Sequence, residues 1–169
     1  VESIISFGTL TITNITISGN NANYSGGGIY NSGTLNATFI TVAKNNAPNG
    51  SGIYSYASSD RVKIKNSIIA DNTGGSNCYG GITALGVNFA GDTSCGSGFR
   101  VASPYQLRLQ PLANNGGPTQ THALDSGSIA IDAVTDCTDL NGKPVTTDQR
   151  GAPRPQGTLC DAGAFEFGK

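Results

Sequence analysis

Glycoside hydrolysis needs two carboxylates facing each other across the substrate. The first 100 residues offer Glu2, Asp60, Asp71 and Asp92, none next to another acid. No Asp-Asp pair and no lyase-type cluster of Arg with carboxylates occurs there, so an enzyme is disfavoured. The single histidine, His122, could be combined with Ser126 or Ser128 and with Asp125 or Asp132 into a hydrolase triad. Neither serine lies in a nucleophile elbow, so a structural hydrogen-bonding role is expected for His122. Asp136, Asp139 and Asn141-Gly142 resemble a calcium loop only loosely, because the one-residue alternation and closing Glu of an EF-hand are missing. No cofactor is expected.

Binding chemistry has better candidates. Tyr30 and Tyr54 recur at equivalent places and form a candidate glycan contact, although a stabilising stack beside a core is the plainer reading. Asn20, Asn45 and Asn72 recur likewise and are expected to form a ladder whose amides satisfy backbone groups at a corner. Arg150 and Arg154, with Asp148, Asp161 and Glu166 close in sequence, are expected to form an ion-pair network that pins the C-terminal tail to the rest. The sequons at Asn14, Asn23, Asn36 and Asn49 are what chance gives in a chain so rich in Asn, Ser and Thr.

A repeat must position these side chains. Gly8-Thr9-Leu10, Asn20-Asn21-Ala22 and Gly28-Ile29-Tyr30 return as Gly33-Thr34-Leu35, Asn45-Asn46-Ala47 and Gly52-Ile53-Tyr54, at an offset of 25 residues falling to 24. A weaker third copy has Val62, Ile64, Asn66, Ile68, Ile69 and Asn72 in step, with Gly81-Ile82 within one position of where Gly28-Ile29 would fall. Within a copy the apolar residues alternate as in strands, slipping phase by one near Thr13-Asn14, which reads as two short strands meeting at a corner. A period in the twenties with this pattern predicts an all-β fold, a right-handed parallel β-helix of about 24–27 residues per rung. Residues 1–100 are assigned to rungs. Residues 101–169 are assigned to an irregular C-terminal cap or appendage packed as one unit with the helix.

Composition agrees. Gly (24), Thr (17), Asn (16) and Ser (16) dominate, and these residues weaken helices and favour turns and strand faces. The formal charge of −1 leaves no footprint for nucleic acid. No apolar run approaches the ~20 residues needed to span a membrane. Four cysteines without a CxxC pattern suit two local disulfides, Cys78 with Cys95 and Cys137 with Cys160, and hence a location outside the cytoplasm.

The rungs written Ser25-Gly26-Gly27-Gly28-Ile29-Tyr30-Asn31 and Thr11 to Asn20 resemble those of secreted bacterial parallel β-helix repeat proteins. Four ordered C-terminal motifs, Pro111 to Leu124, Gly127 to Ala133, Asp148 to Pro155 and Cys160 to Glu166, resemble the "choice-of-anchor Q" domain. The resemblance implies a module of a large bacterial surface or secreted protein and brings no catalytic residues.

Solenoids need covered ends. Val1 to Phe7 is apolar and β-prone, so Val1, Ile4, Ile5 and Phe7 form a candidate assembly edge. The leading expectation is an extracellular structural subunit that self-associates head-to-tail into a surface filament or matrix fibre. The alternative is a cell-surface adhesin whose β-helix binds envelope or host glycan as part of a larger secreted protein.

Overall fold

The structure, a computed structural model, describes residues 3–168. The chain winds as a parallel β-solenoid of about three turns. β1 (Ile4–Ser6) and β2 (Thr9–Ser18) form the first rung, and β3 (Ile29–Asn31) and β4 (Thr34–Ala43) the second. β5 (Ile53–Ser55), β6 (Val62–Lys65) and β7 (Ile68–Ala70) follow, then β8 (Cys78–Tyr79), β9 (Thr83–Leu85), β10 (Asn88–Ala90) and β11 (Phe99–Val101). One parallel sheet stacks β1, β3, β5 and β8, and a second contains β2, β4, β6, β7, β9, β10 and β11.

The expected columns form. Leu10 pairs with Leu35 and Leu35 with Val62, while Ile29 pairs with Ile53, so like residues lie one above another. Their inward side chains make a dry core, with Ile29, Leu35, Ile40, Val42, Ile53, Val62, Ile64 and Ile69 fully buried. The phase slip near Thr13 is a corner within the continuous strands β2 and β4. Asn14 (φ 56°), Phe39 (φ 51°), Asn66 (φ 55°) and Gly86 (φ 63°) occupy it in successive rungs, all in the left-handed region. Gly and Asn enter that region at little cost, whereas Phe39 is an outlier that its surroundings must hold.

One part of the third copy differs from expectation. Ile53 pairs with Cys78 and Tyr54 with Tyr79, so Asn77-Cys78-Tyr79 fills the place assigned to Gly81-Ile82. The Gly-Ile letters match the repeat, but the inward aliphatic position has been taken by a half-cystine, which the disulfide Cys78–Cys95 holds in the core. The second disulfide is Cys137–Cys160, as expected.

After β11 the chain makes α1 (Pro104–Leu107), β12 (Leu109–Ala113) and β13 (Thr121–Leu124), then irregular backbone to residue 168. This segment lies along the flank of the coil. A second core joins Phe39, Ile68, Ala70 and Phe89 of the coil to Leu107, Leu124, Val134, Ala162 and Phe165 of the flank. No helix among the described residues is long and apolar enough to cross a membrane.

Candidate functional site

Alternation places Tyr30 and Tyr54 outward beside inward Ile29 and Ile53, and the parallel register stacks them. Their rings lie 5.4 Å apart and nearly parallel, and Tyr54 stacks again on Tyr79 at 4.6 Å. Tyr56 meets Tyr30 and Tyr54 edge-on. The hydrogen bond with Tyr56 is the chief cause that pushes the Tyr54 hydroxyl up to about 12, so Tyr54 stays neutral. Both faces of Tyr54 are covered and it is 7% exposed, which leaves it no surface for a sugar.

The surface that remains open lies above this ladder. Tyr30, Tyr24, Tyr56, Ile5 and Phe7 line a cleft of about 680 Å³ whose rim carries Asn21, Asn23 and Ser25. That size suits a small-molecule site. Tyr24 is 82% exposed, Phe7 77% and Tyr56 68%, an unusual concentration of bare aromatic surface. Of the expected assembly edge, Ile5 and Phe7 therefore belong to the cleft wall, Ile4 turns inward to the core, and Val1 lies outside the described residues. Tyr24, Tyr56 and Tyr79 were not singled out in the sequence, since Tyr24 and Tyr56 fall where the repeat puts other residues.

The asparagine ladder forms and is longer than its repeat. Asn20 Nδ2 donates to Asn45 Oδ1, Asn45 Nδ2 to Asn72 Oδ1, and Asn72 Nδ2 to Asn77 Oδ1, each at 2.9–3.1 Å. Asn77 Nδ2 then donates to Asp92 Oδ2 at 3.0 Å. Hydrogen bonds from Ser94 and Asn77 outweigh the opposing effect of burial and hold the Asp92 carboxyl below its usual range, so a carboxylate closes the chain of amides. Asn45 also donates to the carbonyls of Ile17 and Ala43. The ladder is a backbone-satisfying device along one corner.

Arg150, Arg154, Asp148, Asp161 and Glu166 lie in one neighbourhood of the flank. Arg154 is 4% exposed, stacks 4.1 Å over the Phe39 ring, donates to the carbonyls of Asp161 and Gly163, and pairs with Glu166 at 3.2 Å. Arg150 pairs with Asp148 at 2.7 Å and lies 3.6 Å over Phe165. Burial pushes the Glu166 carboxyl up to about 7 against the pull of Arg154. Asp161 accepts from the backbone N–H groups of Asp132 and Phe167. All five side chains are turned to protein partners, and Phe39 keeps its left-handed backbone beneath Arg154.

His122 joins neither Ser126 nor Ser128. Its Nδ1 sits 2.7 Å from the Gln110 carbonyl and must donate to it, so Nε2 accepts from the Ser18 hydroxyl at 2.8 Å. This clamps β13 of the flank to β2. Asn14 Nδ2 to the Thr147 carbonyl and Thr16 Oγ1 to Gln149 Oε1 complete the seam. Burial pushes the imidazole below its ordinary 6.5, so protonation is easier in the unfolded chain. The clamp's stability is then present above pH 6.5 and lost as pH falls below it. Thermal melts between about pH 5 and pH 8 should show His122→Gln flattening the acid-side decline of the parent protein; identical curves for both proteins would count against the clamp.

Asp136 and Asp139 are likewise occupied. Asp136 takes Lys65 at 2.8 Å and Thr138, while Asp139 Oδ1 accepts from the N–H groups of Asn141 and Lys143. Among the described residues no group of three or more His, Cys, Asp or Glu is placed to hold a metal ion. Comparison of the chain with family models, curated proteins and solved structures finds no match.

Proposed function

We propose that the chain is an extracellular binding module of a surface or secreted protein, and that it holds a saccharide in the cleft above the tyrosine ladder. The observation that carries this reading is the bare aromatic wall of Tyr24, Tyr56 and Phe7 beside an amide and hydroxyl rim. Sugars present C–H faces that pack on aromatic rings and hydroxyls that need both donors and acceptors, and Asn supplies both. The two disulfides favour an oxidising compartment. The four ordered C-terminal motifs, which fold together into the flank, support a bacterial surface protein of the choice-of-anchor Q kind.

A glycan array probed with the parent protein and with a Tyr24→Ala, Tyr56→Ala double variant tests this. Both side chains are exposed, and a cooperative melt matching the parent's is the control for the edge contacts that Tyr56 makes with Tyr30 and Tyr54. Truncating aromatic anchors costs about 2 kcal/mol in such sites, or roughly thirty-fold in affinity. Retention that is unchanged in the variant, or absent from every glycan, would remove the reading.

Head-to-tail stacking into a filament is the second reading, favoured by β1 and β2, which each pair on one side only among the described strands. It ranks lower because the amide ladder opposes it. A stacked copy that continued the ladder would set the Asp92 carboxylate, which has no proton to give, over the Asn20 side-chain oxygen, breaking the run in which each amide donates to the next. Filaments in electron micrographs of a concentration series, with an axial repeat near one subunit, would reverse this order.

A further inference from the structure

Resting on the saccharide reading of the cleft, the structure assigns its ligand class: we infer a neutral oligosaccharide, not a uronate, sulfated or phosphorylated one. Every described residue that lines the cleft is uncharged: Ser, Ile, Phe, Asn, Ala and Tyr. An anionic sugar entering it would exchange hydration of its carboxylate or sulfate for aromatic and amide surface, without a guanidinium or ammonium to replace the lost water. Arg and Lys are the residues that recognise such groups, and none of those described lines the cleft; six of them are engaged elsewhere. Lys44 pairs with Asp71, Lys65 with Asp136, Arg150 with Asp148, and Arg154 with Glu166. Arg61 reaches Thr34 on the second sheet, and Arg108 lies over Tyr105 in the flank.

The polar rim points the same way. Asn21 Oδ1 already accepts from Asn46 Nδ2, and the Asn49 amide donates to the Tyr24 carbonyl. Both bonds fix the loop that carries Asn21, Asn23, Tyr24 and Ser25, so the rim offers amides and hydroxyls on a held backbone. Such groups match sugar hydroxyls one by one. The Tyr54 hydroxyl beside the cleft is pushed up to about 12, so among the described residues it adds no charge there near neutral pH.

Titration calorimetry with cellopentaose, mannopentaose and maltopentaose, beside pentagalacturonate and a heparin pentasaccharide, reads the class directly. Each is measured in about 0.05 M and about 0.5 M salt, where screening of exposed charges differs strongly. The expected result is binding of at least one neutral oligomer, with affinity changing less than about two-fold between the salts and falling at least about ten-fold in Tyr56→Ala. The anionic oligomers should bind at least about ten-fold more weakly. Tighter binding of pentagalacturonate or heparin, lost in the Tyr56→Ala variant, overturns the neutral class and leaves the saccharide cleft standing. Binding by none of the five, in a protein whose melting is cooperative, overturns both.

Discussion

Arg154→Ala should destabilise the protein by about 3–5 kcal/mol, because it strips the partner from carboxylates that cannot reach water. Glu166 is fully buried, Asp161 is 2% exposed, and the carbonyls of Asp161 and Gly163 each accept from the Arg154 fork. The loss is a large fraction of the 5–15 kcal/mol that holds a typical domain. Phe39 also loses the plane lying over its ring, and with it the contact that keeps a bulky residue in left-handed backbone. Urea unfolding measures the total. Limited proteolysis locates it, since cleavage should appear first within residues 104–168, the layer that Arg154 holds to the coil. Adding Glu166→Gln to Arg154→Ala should restore part of the stability, as a buried carboxyl that must otherwise take up a proton is replaced by a neutral amide; a double variant less stable than the single one would sink the argument.

Asn45→Ala should cost about 3 kcal/mol, with Asn20→Ala costing about 1 kcal/mol or less. The two residues look alike in the repeat and differ in the ladder. Asn45 is fully buried, accepts from the Asn20 N–H and amide, and donates to Asn72 and to the carbonyls of Ile17 and Ala43. Deleting it strands several polar groups inside the coil, whereas Asn20 is partly open to water, which replaces what is lost. Asn45→Asp is the sharper variant. It keeps the acceptor, loses every donor and adds a negative charge between carbonyls, so it should fall below Asn45→Ala. Equal unfolding midpoints for the Asn20 and Asn45 variants would mean that the ladder carries no such gradient.

The columns of the coil could be read from letters because each rung solves the same problem with the same residue: Leu10, Leu35 and Val62 face one core, and the spacing between them is the rung. The disulfides followed from local spacing. Tyr79 escaped because the turn before it is rebuilt around Cys78, so the repeating Gly-Ile pair at residues 81–82 falls outside the column it imitates. Asp92 escaped because a ladder of amides can end in a different residue, and Asn77 because it interrupts the period. Phe39 shares a corner with Asn14 and Asn66, yet its aromatic ring answers to a layer laid down more than a hundred residues later. The Ser18–His122 bond spans 104 residues, with no local pattern linking its two ends. Phe7 and Tyr56 hold equivalent places in the first and third rungs, with Ser32 between them, but the differing residue types hide the column, and Tyr24 joins them only through the winding of the coil.

Repeat proteins commonly change length by gaining or losing a unit, since each rung touches only its neighbours. The flank removes that freedom here. It grips the coil at Ser18 in the first rung, at Thr41 in the second, and at Lys65 and Asn66 in the third, through His122, Ala164 and Asp136 respectively. An inserted rung would part these grips by about 4.8 Å, farther than any of the hydrogen bonds could follow. Residues 104–168 thus act as a gauge cut to one height, and duplication within residues 9–70 should be tolerated only where the gauge is lengthened with it.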